Sequence, residues 1–367
     1  MKHSQPDLKH IAIIAPIPPP NGGMALQGLQ LKRLLENEGY TIFYTATNPK
    51  MTPNWISQIP YLRAVYRLYF YCWALFKIPD EYQLWHIFSN SGLSWFLFSL
   101  PPVFIAKLRR KDVIINYRGG GADQFLKRWC FAVKQVIIWT NGLIVPSDYL
   151  KSIFAKYQIE ARVVPNVIDE TKFYPRTHSN FQTLNTKAEI VLSITRNLEP
   201  IYGVDVAIKS FFEAKKLIPQ LKLKIAGEGV AFQDLKRIVQ NLGLENDVDF
   251  LGRLSQSEML NLYQTTDLLI NPSLVDNMPN SLLEAMACAL PIITSNAGGI
   301  PYMVDHLKSA WIVPAGDINL LTEAIIKLIQ NDTLRLTMAE TAFKQSRIYF
   351  WPQVKERWAQ IYRTGCS

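Results

Sequence analysis

Short apolar blocks recur along this chain, separated by longer stretches with helical spacing. HIAIIAP at 10–16, TIFYTAT at 41–47, LWHIFS at 84–89, VIINYR at 113–118, GLIVPS at 142–147 and ARVVPN at 161–166 have the length and composition of buried strands. MALQGLQLKRLLENEGY at 24–40 places apolar residues on one helical face and stops at Gly39. After Asn166 the pattern lapses into a polar stretch rich in Thr, Asn and Pro, and residues 174–187 are expected to form an interdomain linker. A second alternation starts with IVLSITR at 190–196 and continues through LKLKIAG, VDFLG, LLINPS, PIITS and AWIVP, each preceded or followed by a helical run. Such alternation implies parallel sheets covered by helices on both faces. The expected fold class is therefore α/β, with two Rossmann-like domains at 1–173 and 188–345 and a closing helix within 346–367. Ligands of such sheets bind at the carboxyl ends of the strands, here in a central cleft between the domains.

Composition narrows this picture. A chain of 367 residues, 49% hydrophobic, is long enough for two cores. Its four cysteines (Cys72, Cys130, Cys288, Cys366) are scattered, with no CxxC pair and no His/Cys cluster, which fits a reducing compartment and gives no metal site. The apolar part of the N-terminal segment is too short for a secretory signal, so the expected location is the cytoplasm, including the inner membrane face. The net charge of +9 is one-sided. Residues 1–175 hold 20 Lys/Arg against 11 Asp/Glu, and the remainder is balanced at 19 each. Basic residues interleave with aromatics in two places: Arg63, Arg67 and Lys77 within YLRAVYRLYFYCWALFKI, and Lys107, Arg109, Arg110 and Lys111 after SWFLFSLPPVFIA. This fits an anionic membrane surface, or equally buried helices with a solvated basic rim, with the aromatic stripe at 61–76 in the core. Neither run reaches the roughly 20 residues of a spanning helix. No zinc-finger or RRM-type signature accompanies the charge, so nucleic acid is not an expected partner.

Chemistry concentrates at Asn271–Val304, NPSLVDNMPNSLLEAMACALPIITSNAGGIPYMV. Asp276 stands eight positions before Glu284, with a Pro-Asn-Ser turn between them and a helix following. Carboxylates so spaced can face one cleft, together with the amides of Asn280, Ser281 and Leu282 at the helix start, which favour an anion. Carboxylates for hydroxyls beside amides for phosphate suit a nucleotide-linked sugar. The alternative is a helix cap with a buried ion pair. Gly22-Gly23 in PIPPPNGGM follows the first strand and opens a helix, where backbone can approach a ligand. It is not GxGxxG, so a nicotinamide site is not supported. Asp247-Val248-Asp249 has the form of a metal-binding DxD but lies between helix and strand, and is expected to be a solvated turn. His86 reads as a strand-end histidine satisfied by backbone, or as a group on the acceptor side.

The spaced acidic pair resembles the Asp/Glu-x7-Glu signature of the retaining glycosyltransferases of family four, which have the GT-B fold. Other landmarks follow in that family's order: PNGG at 20–23, VVPNVID at 163–169, Arg196 in SITRNLEPIYGVD, KIAGEGV at 224–230 and VDFLGRLSQSEMLNLYQTTDLLINPS at 248–273. The resemblance implies a nucleotide diphosphate sugar as donor, no metal cofactor, and a glycan or lipid-linked acceptor. It gives Glu284 the ribose hydroxyls, Asp276 the donor sugar near the reacting carbon, and Arg196 the diphosphate. Gly22, Gly23 and the Gly-rich turn Arg118-Gly119-Gly120 would face donor and acceptor, and the last helix would cross back onto the N-terminal domain. Two departures stand out. The family's lysine before glycine is Tyr202 here, with Arg253 and Arg118 as substitute cations. Its His-Gly pair is replaced by Tyr117-Arg118-Gly119-Gly120, with Tyr117 at the histidine's place. Two other readings stay open: a sugar-nucleotide epimerase on the same fold, and a non-catalytic nucleotide-sugar-binding protein, the latter motivated by the two departures.

Overall fold

A computed structural model describes residues 10–18, 22–49, 60–175 and 183–364. The chain divides into two compact units, residues 1–167 with 352–367, and residues 168–351. In the first unit the strands are β1 (His10–Ala15), β2 (Thr41–Ala46), β3 (Leu84–Ser89), β4 (Asp112–Tyr117), β5 (Gly142–Val145) and β6 (Arg162–Val163). Its helices are α1 (Gly23–Asn37), α2 (Pro60–Phe76), α3 (Leu100–Leu108), α4 (Ala122–Ile137) and α5 (Asp148–Lys156). In the second unit the strands are β7 (Ile190–Thr195), β8 (Leu221–Ala226), β9 (Val248–Gly252), β10 (Leu268–Asn271), β11 (Ile292–Ser295) and β12 (Trp311–Val313). Its helices are α6 (Val204–Lys215), α7 (Phe232–Asn241), α8 (Gln256–Thr265), α9 (Asn280–Ala287), α10 (Ile318–Gln330) and α11 (Asp332–Ser346); α12 (Trp351–Thr364) closes the chain.

Each unit holds one parallel six-stranded sheet, in the orders β2-β1-β3-β4-β5-β6 and β12-β11-β10-β7-β8-β9. The continuous apolar runs become the central strands because both faces are covered: every residue of β3 is buried. Edge strand β9 instead alternates, with Val248 buried and Asp249 and Leu251 exposed. Residues 176–182 of the expected linker, and Pro20 and Asn21 of PNGG, lie outside the described residues.

The boundary falls earlier than the polar stretch suggests. Ile168 N–H donates to the Tyr349 carbonyl at 2.9 Å, and Ile168 bridges Phe350 in parallel. The residues after Val167 are thus stitched to the end of the second unit. The last helix belongs with the first unit. Its Trp358 and Tyr362 are each 1% exposed and stack with ring centroids 5.5 Å apart, Tyr362 edge-on to Tyr40. Burial of each such ring is worth about 1.5–3 kcal/mol, enough to hold a helix that is polar on its other face.

The aromatic stripe of α2 is not all core. Tyr71 and Leu75 are enclosed, and Tyr71 Oη donates to the Phe98 carbonyl at 2.7 Å. Tyr69, Trp73 and Phe76 are exposed, as are Phe104 and Leu108 of α3. Lys77 Nζ lies 3.3 Å above the Trp73 ring. Among the described residues, no helix is long and apolar enough to cross a membrane.

Candidate active site

In the second unit, the carboxyl ends of β7 and β10 bring the sequence-predicted residues together. Arg196 follows β7. Gly203, with φ of +60°, passes so close to Pro272 that a Cβ there would lie 2.4 Å from the Pro272 carbonyl oxygen. This approach lets the Ile201 carbonyl accept from the N–H of Leu274 at 2.9 Å and of Val275 at 3.2 Å. The loop bearing Tyr202 is thereby tied to the loop bearing Asp276. Gly299 makes a similar approach on the other side, since its Cβ would meet the Asn277 carbonyl oxygen at 2.0 Å.

Arg196 is the hub. Its Nη2 donates to Asp276 Oδ2 at 2.5 Å and its Nη1 to Ser281 Oγ at 3.4 Å. Its guanidinium lies 4.0 Å over the Tyr202 ring. The ion pair is well shielded, with side chains 10% and 12% exposed. Asp276 also accepts from Ser273 Oγ at 3.3 Å and from the Asn277 N–H at 2.8 Å. Tyr202 brings no charge in place of lysine; it supplies a face on which Arg196 rests.

Glu284 lies in α9, whose first residue is Asn280 as the turn predicts. Its Oε2 accepts from Tyr263 Oη at 2.8 Å, and Tyr263 Oη lies 3.0 Å from Thr195 Oγ1. Burial pushes the Glu284 carboxyl up to about 7, against the opposing effects of the Tyr263 hydrogen bond and the Arg196 charge. Helix α9 has Pro279 at its N-cap, no side-chain cap and no acidic residue in its first turn. Its start therefore carries positive potential that no side-chain cap offsets. Ser281 stands there, beside Arg196; Leu282 is enclosed and offers only its backbone.

Arg253 is not part of this cluster. It follows β9, two strands from β7, is exposed, and makes no hydrogen bond or ion pair among the described residues. The DxD stretch is a turn only at Asp247, whose Oδ1 pairs with Lys215 Nζ at 2.9 Å and Lys222 Nζ at 3.1 Å; Val248, which is buried, and Asp249 already belong to β9.

In the first unit, Gly22 caps α1 with nothing within 4 Å of its Cβ position, and Gly23 is the first helical residue. Arg118 follows β4. Gly119 packs against the turn after β3, where a Cβ would lie 2.5 Å from Asn90 Oδ1 and 2.9 Å from the Ser91 nitrogen. Two expectations need correction. His86 is neither a strand-end residue nor a group reachable by an acceptor. It lies inside central strand β3 with no exposure, its ring 4.8 Å from that of Trp358. Its partners are side chains, Tyr362 Oη at 3.0 Å and Asn116 Nδ2 at 3.1 Å. Tyr117 does not occupy a histidine's place at a site. It is enclosed between Trp95 and Phe154, and its hydroxyl donates to Ser91 Oγ at 2.9 Å. The alternation of β4 turns Tyr117 into the core, so the residue free to carry chemistry is Arg118. Tyr263, Thr195, Ser273 and Asn116 are site neighbours that sequence reasoning missed. Only Tyr263 left a trace, as an aromatic within the helical run NLYQTT.

Residues 176–345, which contain the Arg196 cluster, match the model of glycosyl transferases group 1. The chain is 27% identical over 215 residues to a D-inositol 3-phosphate glycosyltransferase of Corynebacterium jeikeium, covering 55% of this chain and 51% of that protein. The chain thus spans about half the length of this relative. It is 26% identical to the alpha-monoglucosyldiacylglycerol synthase of Streptococcus pneumoniae, over 92% of this chain and 82% of that one. The structure of Anabaena Alr3699/HepE in complex with UDP and glucose matches with a TM-score of 0.74 and 18% identity, covering 96% and 99% of the two chains. The chain has the GT-B fold, built of two α/β units each with a parallel sheet.

Proposed function

We propose that this protein moves a sugar from a nucleotide diphosphate sugar to a glycan or lipid-linked acceptor, with retention at the reacting carbon, in cell-surface polysaccharide or glycolipid synthesis. The observation that carries the reading is the Arg196–Asp276 pair, 2.5 Å long, beside the uncapped start of α9 and Glu284. In this reading the ribose hydroxyls donate to Glu284. The diphosphate takes the Arg196 donors from Asp276 and meets the α9 amides, where its charge is stabilised as the sugar leaves. Asp276, released from Arg196, faces the sugar carbon as positive charge develops there. The protein's own cation and amides then do the work on the diphosphate, without a metal. Retention rests on the resemblance of the acidic pair to retaining enzymes. The relatives named for glycolipid and inositol phosphate glycosylation support the substrate class.

The same reading has the first unit work at an anionic membrane surface, from the cytoplasmic side. Exposed Tyr69, Trp73, Phe76, Phe104 and Leu108 stand with exposed Lys77, Lys107 and Arg110, a combination of apolar and basic groups suited to lipid headgroups. Tyr202 in place of a lysine favours one competing reading, a module that binds nucleotide sugar without transferring it. A thermal-shift screen with UDP, GDP, ADP and their sugars tests the donor class. Stabilisation by one nucleotide and its sugars is the expected result; no shift with any of them contradicts it.

A further inference from the structure

The carboxyl edge of the first unit's sheet carries a cation that the transfer described above leaves idle. Arg118 Nη1 donates to Asn166 Oδ1 at 2.7 Å, and Nε donates to Asn116 Oδ1 at 3.3 Å. Its guanidinium lies 5.0 Å over the Phe88 ring. Among the described residues, no carboxylate pairs with it, whereas Arg109, Arg196, Arg237 and Arg335 each hold one. Two neutral carbonyls fix the group in place without cancelling its charge. The remaining N–H donors keep capacity for an acceptor. Burial lowers the Arg118 pKa to about 9, so it is a cation at neutral pH, and a costly one to leave without a counter-ion.

Behind Arg118 runs a buried polar chain with only one consistent order of protons. A guanidinium only donates, so Asn116 turns its oxygen to Arg118 and its amide nitrogen to His86. His86 Nε2 therefore accepts, at 3.1 Å, and the ring proton sits on Nδ1, donating to Tyr362 Oη at 3.0 Å. His86 and Asn116 are both wholly enclosed. Burial and the Arg118 charge depress the imidazole to about 3, which agrees with the neutral ring that this order needs. The chain locks the Asn116 carbonyl, and with it the direction in which the guanidinium points.

We infer that Arg118 anchors an anionic group, a phosphate or a carboxylate, of the acceptor, and that Asn116 and His86 are positioning residues for it. The inference rests on the glycosyltransferase reading, in which the donor diphosphate already has Arg196 in the second unit. The Gly119-Gly120-Gly121 turn after Arg118 leaves the start of α4 without a side-chain cap, with Asp123 as the one acidic residue of its first turn.

The test uses the full chain saturated with UDP and titrated by calorimetry with inorganic phosphate, glucuronate and, as a neutral control, methyl glucoside. The wild type is expected to bind phosphate or glucuronate at least tenfold more tightly than methyl glucoside; which of the two it prefers names the acceptor's anion. Arg118→Gln should erase that preference and leave UDP affinity within twofold. Asn116→Asp supplies a carboxylate of the same shape against Arg118. It should weaken phosphate binding at least tenfold while UDP affinity stays within twofold, a result that a purely structural Asn116 would not give. His86→Phe should weaken it severalfold, and the His86 ring nitrogens should show the Nδ1–H tautomer without titrating between pH 5 and 8. Unchanged anion binding in Arg118→Gln, or no anion preference in the wild type, overturns the inference. So does displacement of phosphate by UDP joined to weaker UDP binding in Arg118→Gln, since Arg118 would then serve the donor. Should UDP itself not bind, the same titrations on the empty protein still decide whether Arg118 holds an anion, while the donor reading fails separately.

Discussion

Glu284→Gln should make the protein more stable at pH 8 and change it far less at pH 5. The side chain keeps its size, and its carbonyl still accepts from Tyr263 Oη, 2.8 Å away in the wild type. What it loses is the titration. Burial raises the Glu284 carboxyl from 4.5 to about 7 in the folded chain. The folded state therefore holds this proton more tightly than the unfolded one. That contribution to stability is fully present below about pH 4.5 and is lost as pH rises through 7. At about 1.4 kcal/mol per pKa unit, the shift amounts to roughly 3 kcal/mol of destabilisation at pH 8 that glutamine does not incur. Urea unfolding of both proteins at pH 5, 6.5 and 8 measures the difference. It should grow steadily in favour of glutamine across that range. Nucleotide binding should run the other way, because ribose hydroxyls donate best to an ionised carboxylate. UDP affinity of the wild type should rise with pH through 7, while that of Glu284→Gln stays flat and weak. A stability difference that does not vary with pH would refute the reasoning.

Three more outcomes follow from the same cluster and from the first unit's surface. Arg196→Ala strands Asp276 without its cation and should cost about 3–5 kcal/mol in unfolding free energy, of which Arg196→Ala/Asp276→Ala recovers most; equal losses in the single and double variants would remove the pair from the account. Tyr202→Phe should bind UDP within twofold of wild type, because the ring face is what Arg196 uses, and Tyr202→Lys should bind it more tightly by adding a weakly screened charge; calorimetry on both reads this, and weaker binding by the lysine variant would show that the ring matters more than the charge. Sedimentation with anionic and neutral vesicles should show salt-sensitive binding to the anionic ones alone, reduced severalfold in Trp73→Ala/Phe76→Ala, and equal binding to both kinds would reject the membrane reading.

Much of the fold was legible because a parallel sheet covered on both faces writes its strands as short apolar runs. All twelve runs recovered above are strands, from HIAIIAP to AWIVP. The start of α9 was legible too, since Pro279-Asn280-Ser281 interrupts one pattern and LLEAMACA starts another. What local spacing does not carry is contact at long range. His86 looked like a polar residue at a strand end, and its enclosure depends on Trp358 and Tyr362 of the last helix, the latter 276 positions away. The Arg196–Asp276 pair joins residues 80 apart and depends on Gly203 letting its loop reach Pro272. The shift of the boundary to Val167 comes from the pairing of Ile168 with Phe350, which no composition change marks. Tyr117 was misread for a simpler reason: a period of two puts Tyr117 inside and leaves Arg118 to follow the strand, and that alternation was available in INYRGG.

The central claim is that the Asp276–Arg196–Glu284 cluster carries out acceptor-dependent sugar transfer rather than nucleotide binding alone. The direct measurement is release of nucleoside diphosphate from the nucleotide sugar that raises the thermal midpoint, with and without a panel of glycan and lipid-linked acceptors, for wild type and Asp276→Asn. Acceptor-dependent release by the wild type is expected, falling about 100-fold or more in Asp276→Asn while donor affinity changes little. Tight donor binding with no release on any acceptor, or release that Asp276→Asn leaves intact, would contradict the account.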